Sequence, residues 1–302
     1  MTAQPAQRPF GFFDVEVTES VRVTPHLVRM TFAGEDLREF APNGYDQRIK
    51  LILPTDGGTL DTMPRGEKWF LTWRAMPQET RPAIRTYTVR AIRNELAEID
   101  VELVDHGDLG PASRFARSGT PGDRILVHGP LAGHPDNEGG LEFRYDLADQ
   151  CDQLIVGDDT AAPAICSIVE RLPENACGLV CLEVEHAESI QQITAPAGVR
   201  VQWVVRQGER GAAQQQVVRE WLDGHPSVGT TAGESTVLVD GDEGAYWEVT
   251  TERGAGVPPL SAWIAGESSA VRTLRRILVG DYDVPRSAVA FMGYWREGHQ
   301  EC

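Results

Sequence analysis

Apolar and polar residues alternate with period two from Phe13 to Phe32. There the run DVEVTESVRVTPHLVRMTF predicts two half-buried strands joined by a turn at Thr24-Pro25. Further strand-like runs follow at short, regular spacing: Gln47–Leu53, Arg85–Arg93, Leu96–Val104 and Arg124–His128, with a hairpin turn at Asn94-Glu95. Several short strands in series predict an antiparallel β-barrel. Only one short helix is expected in this half, Pro111–Arg117, with proline at its first position.

The texture changes near residue 145. Leu154-Ile155-Val156-Gly157 is a compact apolar run, and DDTAAPAICSIVERL behind it repeats its apolar residues at helical spacing. Strand patterns at 178–185 and 199–205 precede a helical one at Gln214–Leu222. Strands at 236–240 and Ala262–Glu267, a helix at Ser268–Leu278 and a closing strand in SAVAFMGYW complete the series. Such alternation predicts a parallel sheet with crossover helices. The chain thus reads as a mobile tail over 1–12, a barrel domain over 13–138, a linker over 139–145 and an α/β domain over 146–302.

Charge narrows the possible partners. The 302 residues carry 45 Asp and Glu against 28 Lys and Arg, a net charge of −17. Residues 146–302 hold 24 acids and 11 bases, whereas residues 1–145 hold 21 and 17, and lysine occurs only at 50 and 68. Phosphate neutralisation needs a basic face that this composition does not supply, so no nucleic acid is expected. No apolar run approaches the roughly 20 residues of a membrane span, and the N-terminus lacks a signal-peptide pattern. No membrane insertion and a cytoplasmic location are therefore expected; a monomer is expected as well, though nothing in the sequence fixes the oligomeric state. Five cysteines, at 151, 166, 177, 181 and 302, form no even framework and read as reduced thiols, with no metal site.

Chemistry gathers in two places in the first half. In Arg85-Thr86-Tyr87-Thr88, strand alternation sends Arg85 and Tyr87 to one face and the threonines to the other. An arginine beside a tyrosine can hold a phosphate and lie against a planar ring; an ordinary strand is the alternative. About 20 residues on, HGDLGPASRFA leaves a strand through a glycine-rich turn and enters a short helix, whose first amides suit an anion. In the second half, VGDDTAAPAI joins a strand end to a helix start, where open α/β sheets bind dinucleotides. A plain turn with Asp159 as helix cap is the other reading. Gly266 and Glu267 mark a second strand end. Arg206 and Arg210 follow a strand, where they could meet a ribose phosphate or stand as solvated charges.

In this order, AIRTYTVR, DHGDLGPASRFA, GPLAG, VGDDTAAPAI, WIAGESSAVRTLRRIL and GYWREG resemble the siderophore-interacting proteins. These are FAD-containing ferric-siderophore reductases of the ferredoxin–NADP reductase superfamily, and the resemblance spans roughly residues 13–298. It implies a ferredoxin reductase-like fold, an antiparallel flavin-binding β-barrel followed by a parallel-sheet α/β nucleotide-binding domain. It implies that Arg85 contacts FAD phosphate and that Tyr87 and Thr88, with Thr86 on the same strand, border the isoalloxazine. Asp105 and His106 would sit beside the flavin, while Gly110, Pro111, Ala112 and Ser113 would hold the pyrophosphate through helix-start amides. Asp159 and Thr160 correspond to a pair usually written Glu-Thr, and Ala162 replaces a larger apolar residue. Trp295 would cover the flavin.

An anionic ferric siderophore would dock on Lys50, Arg272 and Arg275, the last two being i,i+3 neighbours on one helix face, with Arg114 as a fourth base. A structural reading makes the two arginines dipole-favoured residues at a helix C-terminus. The implied activity passes electrons from NADH, NADPH or a ferredoxin through FAD to Fe(III), and Fe(II) then leaves its hard oxygen ligands. No side chain need act as acid, base or nucleophile. A general NAD(P)H:flavin or ferredoxin-linked reductase, and a non-enzymatic siderophore-binding flavoprotein, are the alternatives.

Overall fold

A computed structural model describes residues 9–54, 59–105, 110–134, 140–225, 246–249 and 256–298, together with the backbone of 237–238. The chain divides into two compact units at Leu141/Glu142.

In the first unit, β1 (Phe10–Thr24), β2 (Leu27–Ala33), β3 (Arg48–Leu53), β4 (Ala83–Arg93), β5 (Glu98–Val104) and β6 (Arg124–Pro130) form a closed barrel. Its order is β1-β2-β5-β4-β3-β6, and every neighbouring pair is antiparallel. Alternation fills the interior: Phe13, Val15 and Val17 of β1, Leu51 and Leu53 of β3, and Ile99, Val101 and Leu103 of β5 are all buried there. Each such side chain stabilises the fold by about 1.5–3 kcal/mol relative to exposure. Helix α2 (Pro111–Ser118) lays Ala112 and Ala116 on this core, and its Phe115 ring stacks 6.4 Å from Phe32.

Two features of this unit differ from expectation. β1 begins at Phe10, inside the span expected to be a tail, because Phe10 and Phe12 pack on the His128 ring at 5.7 and 4.7 Å. A second helix, α1 (Trp69–Arg74), lies over a satellite core of Ile52, Met63, Trp73, Ile84 and Leu126. Six residues are too few to show a helical period, and the packing of Trp69, Phe70 and Trp73 holds them in place.

The second unit contains β7 (Asp152–Asp158), α3 (Ala162–Val169), β8 (Cys177–Val184), β9 (Gly198–Val205) and α4 (Ala212–Asp223). β10 (Val237–Leu238), β11 (Trp247–Val249), β12 (Leu260–Glu267), α5 (Ser268–Arg275) and β13 (Val289–Trp295) follow. The sheet order is β10-β11-β13-β12-β7-β8-β9. From β13 to β9 all pairings are parallel, and β11 and β10 add an antiparallel edge, so the sheet is mixed. β12 is buried along its whole length, as a central parallel strand covered on both faces must be. β11 is too short to have stood out as a strand. Of the strand expected at 236–240, Val237 and Leu238 are described and their neighbours lie outside the described residues. α5 ends at Arg275 and continues as a π turn over Arg276–Asp281, where the expected helix ran straight to Leu278. Among the described residues no helix is long and apolar enough to cross a membrane.

Candidate functional site

The barrel places Arg85 at the mouth of α2. The Arg85 guanidinium donates through Nη1 to the Ile84 carbonyl at 2.8 Å, and its Nη2 lies 3.9 Å from where a Cβ on Gly110 would stand. Gly110 caps α2 with φ +152°, a conformation that L residues avoid, and Pro111 follows as the first helical residue. A fixed cation therefore adjoins a helix N-terminus, the combination that suits a phosphate. Ala112 and Ser113 are buried in that first turn, and the Ser113 hydroxyl reaches the Val104 carbonyl at 3.5 Å. Tyr87 packs half-buried against the barrel core, Thr88 is buried, and Thr86 is exposed on the other face.

Asp105 is held by two ion pairs. Its carboxylate lies 3.3 Å from Arg22 and 3.6 Å from Arg117, tying the β1–β2 turn to α2. His106 lies outside the described residues. Arg114 is exposed on α2.

Lys50 stands on the outer face of β3, paired across strands with Thr86 on one side and His128 on the other. His128 was not among the expected residues. Burial among Phe10, Phe12 and Trp69, reinforced by the nearby Lys50 charge, pulls its pKa down to about 4. The imidazole is thus neutral at pH 7, and Lys50 supplies the positive charge of this row. HGPLAG held the histidine in plain view, but only barrel register reveals its neighbour.

In the second unit, Asp158 at the end of β7 is the centre of the polar network. Its Oδ1 accepts from the Thr160 amide at 3.0 Å and hydroxyl at 2.6 Å. Its Oδ2 accepts from the Glu267 amide and from Trp295 Nε1, both at 2.8 Å. A Cβ on Gly266, where φ is +144°, would fall 2.7 Å from that same oxygen, so glycine is what lets β12 approach β7. Trp295 is therefore held at the carboxyl ends of β7 and β12, with the Arg210 guanidinium 4.6 Å over its ring. Thr160 serves Asp158, and Ala162 opens α3 fully packed.

Asp159 points elsewhere. Its Oδ2 accepts from the Glu185 amide at 3.1 Å, and burial, with the Asp158 charge adding to it, pushes its pKa up to about 6. Glu183 accepts from the Gly211 amide with both oxygens, at 3.0 and 3.1 Å, which anchors the start of α4. Glu267 caps α5 through the amides of Ser269 and Ala270 at 2.6 and 3.1 Å.

Arg272 and Arg275 share a face of α5 but behave differently. Arg275 holds the buried Glu248 at 2.5 and 3.2 Å, whereas Arg272 is exposed with its guanidinium 5.2 Å from the Tyr246 ring centroid. The partner of Arg275 is Glu248 of β11, a strand the sequence pattern missed. Among the described residues no three His, Cys, Asp or Glu side chains converge as a metal site.

Comparison with known proteins agrees with this geometry. Residues 16–134 match the family described as siderophore-interacting FAD-binding domain, and residues 151–298 match siderophore-interacting protein. The chain is 28% identical over 279 residues to ferric vibriobactin reductase ViuB of Vibrio cholerae, covering 92% of this chain and 87% of that one. The crystal structure of siderophore-interacting protein SipS from Aeromonas hydrophila superposes with a TM-score of 0.69 at 28% identity, covering 97% of this chain and 95% of SipS. The ferredoxin reductase in carbazole 1,9a-dioxygenase shares the fold at a TM-score of 0.61 and 14% identity, over 95% of this chain and 68% of that one.

Proposed function

The chain belongs to the siderophore-interacting protein family, and on that premise we propose that it is an FAD-dependent reductase of ferric siderophores that draws electrons from NAD(P)H. The observation that carries this reading is the approach of Arg85 to Gly110 at the start of α2, on the strand that also presents Tyr87 and Thr88. Those residues fit FAD: a cation and a helix N-terminus suit its pyrophosphate, and a tyrosine and a threonine suit its ring. When bound, FAD supplies the conversion of a two-electron donor's chemistry into single-electron transfers.

The chain's own residues bind and orient. Arg85 neutralises phosphate charge, and Lys50 in the first unit and Arg272 in the second each carry exposed or half-exposed charge that attracts an anionic ferric complex. Iron itself is substrate, and Fe(II) is held less tightly than Fe(III) by hard oxygen donors, so release follows reduction. The carboxyl ends of β7 and β12 are where an open α/β sheet takes a nucleotide. Reduction of an already imported complex would place the protein in the cytoplasm.

The test begins with colour and ends with iron. Purified protein should carry FAD or take it up, and its flavin, once reduced anaerobically, should reoxidise on a ferric siderophore with Fe(II) captured by a chromogenic chelator. Protein that stays colourless with added FAD, or reduced flavin indifferent to the ferric complex, would overturn the reading. Faster turnover of free flavin than of ferric siderophore would favour a general flavin reductase. Arg85→Ala should weaken FAD binding at least tenfold, since a charge-assisted contact is worth about 1.5–3 kcal/mol.

A further inference from the structure

Two basic residues follow β9, and the structure shows what each is doing. Arg206 sits with its side chain mostly buried, and its Nη2 lies 2.6 Å from Oε1 of Glu185, the residue that follows β8. The Arg206 amide also donates to the Val184 carbonyl at 2.9 Å, so the two strand ends are joined by backbone as well as by charge. Arg210 lies over Trp295 instead. The Glu185 amide is fixed in turn by Asp159. The Glu185 side chain itself remains 52% exposed against 14% for Arg206, so the carboxylate stands in front of the guanidinium.

In dinucleotide-binding α/β folds the corresponding place reads the adenosine ribose. In an open parallel sheet, the strand after the first βα turn ends beside that ribose. An acid there accepts from the 2′-hydroxyl, whereas a free arginine accommodates a 2′-phosphate. β8 is that strand, reached from β7 through α3, and Glu185 follows Thr160 by 25 residues. We propose that Glu185, with Arg206 locked behind it, selects a pyridine nucleotide bearing a free 2′-hydroxyl, so that NADH and not NADPH is the donor. The proposal rests on the pyridine-nucleotide half of the function proposed above. Around this point the described residues place four carboxylates, Asp158, Asp159, Glu183 and Glu185, against two guanidiniums, Arg206 and Arg210. A 2′-phosphate would add two negative charges to that surplus, with Arg206 already paired to Glu185 and only Arg210, on the Trp295 ring, to offset them, while a hydroxyl donates into it at no such cost. The ion pair also holds the Glu185 carboxyl below its usual range, which keeps it an acceptor at neutral pH.

The decisive measurement uses ADP-ribose and 2′-phospho-ADP-ribose as probes, titrated calorimetrically into the FAD-loaded protein. ADP-ribose should bind at least tenfold more tightly, and flavin reduction by NADH should exceed that by NADPH in the same sense. Glu185→Ala frees Arg206 and should shift the ratio at least tenfold toward the phosphorylated probe. Glu185→Gln, which keeps the shape, should shift it in the same direction. Arg206→Ala should preserve the preference for ADP-ribose. Equal or tighter binding of the phosphorylated probe, or a ratio unmoved in both Glu185 variants, overturns the proposal. Failure of both probes to bind also overturns it, and with it the donor assignment. Reoxidation of dithionite-reduced flavin by a ferric siderophore would then show separately whether iron reduction stands.

Discussion

Replacing Asp159 by asparagine should stabilise the second unit at neutral pH and remove much of its pH dependence. Burial is the first cause of the raised Asp159 pKa, which moves from 3.8 to about 6, with Asp158 second and the Glu185 amide opposing. A carboxyl raised in this way binds its proton more readily folded than unfolded. Its contribution to stability is therefore full below the unfolded value near 4 and is lost as pH rises through about 6. The full shift corresponds to about 3 kcal/mol, and the water that still reaches the residue reduces this to about 2 kcal/mol. Glu183, raised mainly by burial, acts in the same sense. Asparagine keeps an oxygen for the Glu185 amide at 3.1 Å but cannot acquire charge. For a unit of this size, about 2 kcal/mol is a rise of about 4–8 °C in Tm. Thermal and urea unfolding at about pH 5 and about pH 7.5 will read this. The variant should melt higher than the parent at both, by about half the margin at the lower pH. A variant no more stable at neutral pH, with the parent's pH dependence intact, would refute the reasoning.

The remaining predictions test the other parts of the two units. Asp158→Asn sets an NH2 against two of the four donors now accepted at 2.6–3.0 Å, and should cost about 2–4 kcal/mol in urea unfolding while leaving FAD on the barrel. Lys50→Ala and Arg272→Ala, each as a single variant, should slow reduction of an anionic ferric siderophore several-fold, more at low salt than high, with FAD content unchanged. An unchanged rate would remove these bases from docking. His128, lowered from 6.5 to about 4 by burial and then Lys50, contributes stability that is present above its unfolded pKa and lost as pH falls through about 4. His128→Phe should therefore unfold with less acid sensitivity in the first unit than the parent does, over about pH 6.5 to 4.

Much of this protein was readable one residue at a time. Period-two alternation foretold the six barrel strands, because one face of each must be apolar to line a closed interior. Apolar β7, β8 and β12 foretold parallel strands covered on both faces, and Pro111 after Gly110 marked the start of α2. What escaped was set by contacts remote in sequence. α1 and β11 are short segments that exist because the sheet or barrel beside them offers a surface, which no local period records. The ion pair of Asp105 with Arg22, far away in the chain, is likewise a contact no local pattern records.

The same division runs through the site. Residue types and block order in RTYT, GPAS, GDDT and IAGE were sufficient to show the resemblance to the family whose models match both halves of the chain. Which charges are available was a matter of partners. Arg275 is bound to Glu248, Arg206 to Glu185, and Arg210 lies on Trp295, while Arg272 keeps an exposed head. Local sequence governs backbone conformation and the face a side chain takes, but an ion pair depends on which strands become neighbours. That is settled only when the sheet closes.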